Sequence, residues 1–254
     1  VINDSQIAVD ISYSDASKNL TIKGTDPNKQ YKVYLIGSPT TNHYLNLNNG
    51  KKITFEGLDF DALGSYFIYD YNGSSTLEFK NCTIQNINNA GFTTATAGYS
   101  YAPFRLTGGA TLNFDNTLVT HLYGRPIAST HDKEGGSVFF AKENSTINVD
   151  NSTITECGVY TNDQSDWFNG PFRLYNGTLN FNSGEFTNNR GSAGCINIGS
   201  GLENSSSVVN IKGGTFTGNK AHWGGVLFTW EHYDGEVANI SGGYFANTEA
   251  TASK

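Results

Sequence analysis

Residues 171–189 read PFRLYNGTLNFNSGEFTNN: two short alternating apolar runs, a turn, and a third apolar run. Six other stretches repeat that plan. Counting from the last apolar residue of the TLNF run, another apolar residue follows five places on. The pairs are Phe55 and Phe60, Phe79 and Ile84, Phe114 and Val119, Val149 and Ile154, Phe181 and Phe186, Ile211 and Phe216, and Ile240 and Phe245. Successive pairs lie 24 to 35 residues apart, so a constant unit is separated by connections of varying length. A fixed unit at a period of this size is the signature of a solenoid.

Another run precedes each pair: Leu45-Asn46-Leu47, Phe67-Ile68-Tyr69, Phe104-Arg105-Leu106, Val138-Phe139-Phe140, Phe172-Arg173-Leu174, Ile196-Asn197-Ile198 and Val226-Leu227-Phe228. Apolar first and third residues give the period of a strand with one buried face. Between the second and third strands stand Gly57, Asn81, Asn116, Asn151, Ser183, Gly213 and Gly242. Gly and Asn tolerate a left-handed backbone, so these positions suit a tight turn repeated in register, and Asn81, Asn116 and Asn151 suit a ladder of stacked amides. Three short strands with one apolar face each bury that face by coiling about an axis and stacking on their neighbours. The reading is an all-β, right-handed parallel β-helix with three strands per rung and about seven to eight rungs. A β-sandwich or up-and-down barrel also yields many short strands, but neither predicts a constant offset in every unit.

The whole chain reads as one domain. Residues 1–42 form an irregular opening rung, 43–247 the regular rungs, and 248–254 a polar tail or the start of a linker. Gly 29, Phe 16 and Tyr 14 suit turns and a stacked interior. A net charge of −7, with no basic run interleaved with the aromatics, argues against nucleic-acid binding. No run has the length of a membrane span. Cys82, Cys157 and Cys195 have neither metal-ligand spacing nor an even count, so no disulfide framework follows. No cofactor is expected. The absence of an initiator Met and of a signal peptide suits a segment of a larger protein, expected to be a monomeric domain.

Long connections precede several first strands, at residues 87–102, 122–136 and 157–170, and loops on a rigid scaffold are where function concentrates. The middle residues of the first strands should point outward. Arg105 and Arg173 then flank Phe139, two rungs apart at about 10 Å. Two guanidinium forks around an aromatic platform suit an acidic sugar chain. Tyr101, Asp166, Trp167 and Trp230 in the adjoining loops are further candidate contacts. The alternative is that the arginines keep an exposed strand soluble and pair with Asp166 or Glu143, and that most loop aromatics form small satellite cores. For catalysis the candidates are Asp163 with Asp166, His131 with Asp132, His222 and His232. Neighbouring carboxylates on a loop more commonly solvate it, and no run of Asp on adjacent rungs suggests a calcium site. No catalytic residue is assigned.

Phe186-Thr187-Asn188-Asn189 and Phe216-Thr217-Gly218-Asn219, the latter followed by Gly224-Gly225-Val226-Leu227, resemble the FxxN and GGA(I/L/V) repeats of polymorphic outer-membrane proteins and of adhesin-like surface proteins of methanogens. Phe245-Ala246-Asn247-Thr248 and Gly135-Gly136-Ser137-Val138 depart from them. Across residues 45–247, units such as ITFEGLDF, TLEFKNCTI and TLNFDNTLV resemble the pectate-lyase-like adhesive domains of wall-anchored surface proteins of Gram-positive bacteria such as lactobacilli. That resemblance implies a secreted or cell-surface adhesin whose partner is a glycan or a host or cell-surface receptor. In true pectate lyases of this fold an outer strand face beside long loops holds the cleft and an arginine is the base, so Arg105 or Arg173 is the matching residue type. The Asp-rich motifs of polygalacturonases are missing. A polysaccharide lyase or glycoside hydrolase, and a stalk without ligand, are the alternatives to adhesion.

Overall fold

The computed structural model describes residues 5–7, 19–26, 28–35, 50–63, 69–71, 73–88, 102–124, 137–158, 170–199, 206–229 and 235–251. Among these, the regular elements are β-strands, which form three parallel sheets of nine, eight and six strands and a further pair, Lys220–Ala221 with Glu249–Ala250. The eight-stranded sheet collects the second strands, from Leu20–Lys23 to Val237–Ile240; the nine-stranded sheet collects the third strands, from Ser5–Ile7 to Tyr244–Ala246. The first strands, from Tyr69–Tyr71 to Gly224–Thr229, make the six-stranded sheet. Six levels of the stack carry all three strands, which amounts to about five turns of a β-solenoid.

The constant offset in the sequence is the register of two columns. Ile22, Phe55, Phe79, Phe114, Val149, Phe181, Ile211 and Ile240 pair level by level in one sheet. In the next, Val33, Phe60, Ile84, Val119, Ile154, Phe186, Phe216 and Phe245 do the same. Both columns point inward, and their middle members are fully buried. Phe79 stacks between Phe55 and Phe114 at 5.5 and 5.8 Å, and Phe139 between Phe104 and Phe172 at 5.0 and 4.9 Å. Each buried Phe contributes about 1.5–3 kcal/mol and each aromatic pair about 0.5–1.5 more. At the last level nothing described stacks above: Ile240 is 54% exposed and Phe245 39%.

The turn after the second strand follows expectation over four levels. Gly57, Asn81, Asn116 and Asn151 have φ of 68°, 51°, 47° and 47°. From the next level on, the left-handed residue moves one place later, to Gly184, Gly214 and Gly243, rather than Ser183, Gly213 and Gly242. A Cβ at Gly184 would lie 2.0 Å from the Ser152 carbonyl oxygen, so only glycine fits there.

A second left-handed column, which the sequence reading missed, follows the third strand: Asn86, His121, Glu156, Asn188, Gly218 and Asn247, with φ between 51° and 67°. It accounts for the third position of the FxxN repeat. The fourth position is a buried asparagine that bridges rungs. Asn189 accepts the Cys157 N–H at 3.0 Å and donates to the Ile154 carbonyl at 3.0 Å, while Asn219 accepts the Asn189 N–H at 3.0 Å and donates to the Phe186 carbonyl at 2.7 Å. At these two levels one amide pairs buried backbone groups that would otherwise go unsatisfied.

Both ends join the stack. Leu20–Lys23 and Tyr31–Leu35, within the expected opening rung, pair with the levels that follow. Near the other end Glu249–Ala250 pairs in parallel with Lys220–Ala221, and Lys220 Nζ lies 2.9 Å from Glu249 Oε2.

Candidate functional site

The face expected to bind ligand is the outer side of the six-stranded sheet. Its register differs by one residue from the expected one in two first strands, those at Val138 and Val226. Phe104, Phe139, Phe172, Ile196 and Leu227 form the inward column, and Phe140 rather than Phe139 lies between Arg105 and Arg173. Phe139 therefore points into the core, against Phe104, Phe114 and Phe172. The run Val138-Phe139-Phe140-Ala141 is apolar throughout, so alternation alone does not decide its phase. Stacking against the neighbouring phenylalanines does.

Arg105 and Arg173 are two levels apart in one column, as expected. They are not an exposed pair. Arg173, Phe140 and Asn197 are each fully buried although they stand outside the central core, and only Arg105 of this group is half-exposed. Asn197 folds back on its own strand, accepting the Gly194 N–H at 3.0 Å and donating to the Gly194 carbonyl at 3.1 Å. Both arginines make further contacts. Tyr101, Asp166, Trp167 and Trp230 lie outside the described residues, as do Asp163, His131, Asp132 and His232. His222 is described, packed edge-on to Trp223 at 4.9 Å.

Half-buried and exposed amides recur on the outer side of the second strands and on the turns that follow them. The third residue of each second strand faces outward, and from Asn113 this column is asparagine at every level. Asn148 donates to Asn113, Asn180 to Asn148, Asn210 to Asn180 and Asn239 to Asn210, each at 2.8 Å. The repeated Asn in TLNF, TINV, TLNF, VVNI and VANI is the signal that would have revealed this ladder.

Beside it, on the turns between second and third strands, lies a groove of about 450 Å³. Gln30, Asn81, Asn116 and Asn151 line it with exposed amides, and Leu118, 37% exposed, adds an apolar patch. Asn116 donates to Asn81 Oδ1 at 2.7 Å; Gln30 donates to the Asn81 carbonyl at 2.9 Å and accepts from the Thr83 hydroxyl at 2.9 Å. Asn151 Oδ1 accepts from Ser183 Oγ at 3.0 Å. The expected amide ladder at these turns thus exists in part, and Gln30 joins it from the opening level.

The ionisable groups of the described residues include small ion pairs, Lys32 with Asp59 and Asp61, and Lys52 and Lys80 with Glu78. No cluster of three or more His, Cys, Asp or Glu that could hold a metal occurs among the described residues. Burial raises the Glu78 pKa, but hydrogen bonds from Lys52 and Thr54 outweigh it and hold the carboxyl below its usual range. Asp61 behaves alike, with burial opposed by bonds from Asn86, the Leu63 N–H and Lys32. Burial pushes the Cys82 thiol up to about 11 and Cys157 to about 12, and raises Cys195 also, so all three are protonated and poorly nucleophilic. Thr120 Oγ1, His121 and Glu156 form a polar chain, with 2.8 Å to Nδ1 and 3.1 Å from Nε2 to Oε2. The order is that of a nucleophile, base and orienting acid. However, Thr120 is 8% exposed, so its hydroxyl is hardly presented to a substrate.

No helix of the described residues is long and apolar enough to cross a membrane. No protein-family model, curated protein or solved structure matches the chain.

Proposed function

We propose that the chain is a cell-surface adhesin module that binds glycan. The observation that carries this reading is the row of exposed amides on the turns between second and third strands, Asn81, Asn116 and Asn151 with Gln30 beside them, which repeats at the rung spacing of about 4.8 Å. A periodic array of neutral donors and acceptors suits a polymer with many hydroxyls. The protonated thiols of the described residues suit nucleophilic chemistry less well. The test is a glycan array probed with the intact protein, with a parallel assay for new reducing ends or unsaturated products on uronate polymers. Glycan binding without product formation supports adhesion; product formation moves the chain to the lyases or hydrolases.

A second reading, a stalk without ligand, draws on one observation. Phe140, Arg173 and Asn197 are buried on the outer face where a cleft was expected. A protein that binds nothing on the array, yet unfolds cooperatively at high temperature, is that stalk.

A further inference from the structure

We infer that the groove on the turns between second and third strands is the glycan site, and that it takes an uncharged oligosaccharide. The inference rests on the glycan-binding reading above and gives it a place and a ligand class. The concavity has a simple origin. At the opening level seven residues, 24–30, connect Leu20–Lys23 to Tyr31–Leu35, whereas at the next level Gly57 alone joins the two strands. The longer connection contributes Asn28, Lys29 and Gln30 as a wall, and the short asparagine turns below it form the floor.

The floor is rigid and incompletely paired within itself. Asn81, Asn116 and Asn151 sit at left-handed φ of 51°, 47° and 47°, which fixes where each amide starts. Asn116 is tied to Asn81 on one side and Asn151 to Ser183 on the other, but no amide-to-amide bond joins Asn116 and Asn151. Asn116 Oδ1 and Asn151 Nδ2 are thus left outside the chain of bonds, an acceptor and a donor one rung apart. A sugar hydroxyl donates to the first and accepts from the second. The neighbouring ladder from Asn113 to Asn239 offers no such opening, since every link in it is made.

Charge selects the ligand class. Lys29 carries the one formal charge among the lining side chains, and its Nζ lies 4.8 Å from the Tyr31 ring centroid. The groove therefore lacks the paired cations that a uronate or sulfated chain requires. Leu118 supplies a surface for the C–H face of a sugar ring.

Asn116→Gly with Asn151→Gly tests the assignment, because glycine accepts the left-handed backbone and removes only the amides. Binding to panels of neutral oligosaccharides (glucans, mannans and galactans) and of uronate and sulfated polymers is compared with wild type, with thermal unfolding as a check on folding. Expected is binding to a neutral panel, weakened roughly tenfold or more in the double variant. It should also be weakened in Leu118→Glu and unchanged in Arg105→Ala. Wild-type affinity in a folded double variant overturns the groove but leaves glycan binding standing. Binding only to acidic polymers overturns the ligand class. A wild-type protein that binds neither panel removes both the groove and the adhesin reading.

Discussion

The second and third strands and the first strands share one stack but solve different problems. On the second- and third-strand side, turns of one to three residues hold every level from Leu58 onward in register, and the outward side chains meet solvent or one another in ladders. On the first-strand side, long connections intervene, two strands settle one residue away from the expected phase, and the outward Phe140, Arg173 and Asn197 are buried. The short turns carry exposed amides at Asn81, Asn116 and Asn151, whereas on the first strands Arg173 is buried and Arg105 half-exposed.

The largest test of that contrast is Phe139. An inward Phe139 stacked between Phe104 and Phe172 should cost about 3–5 kcal/mol when replaced by alanine, read by denaturant unfolding. A loss below about 1 kcal/mol would return Phe139 to the outer face. Smaller is the effect of Asn189→Ala, which leaves the Cys157 N–H and the Ile154 carbonyl without partners and should cost about 1–3 kcal/mol.

Smaller still is an acid effect on the open side. The Glu78 pKa lies below its unfolded value, so its stabilisation is fully present above the unfolded carboxylate pKa and is lost as pH falls through the folded one. Unfolding free energy should be level above about pH 5.5 and decline below about pH 4, with a shallower decline in Glu78→Gln. Least of all is Asn116→Gly, expected to change stability by no more than about 0.5 kcal/mol because its backbone already has the conformation glycine favours.

The fold was legible because two of the three columns keep one five-residue offset at every level. Every inward pair from Phe55 and Phe60 to Ile240 and Phe245 sits where the constant offset put it. The phase of the first strands was harder to read. In Val138-Phe139-Phe140-Ala141 both alternations are apolar, and only neighbours three-dimensionally above and below choose between them. The site was less legible for a related reason. Arginine and tryptophan draw attention in a sequence, whereas the exposed amides repeat so regularly that they read as turn formers. The FxxN motif was visible as a pattern, but its meaning, a left-handed residue followed by a buried asparagine that joins rungs, needed the backbone.

The most direct measurement of the central claim is a titration of the isotope-labelled protein with a neutral oligosaccharide chosen from the array, following side-chain amide resonances by NMR. The amides of Gln30, Asn81, Asn116 and Asn151 should shift with a common saturation curve while those of Asn180, Asn210 and Asn239 stay in place. Saturable shifts confined to the outward ladder or to the Arg105 and Arg173 face, with the groove amides unmoved, would contradict it.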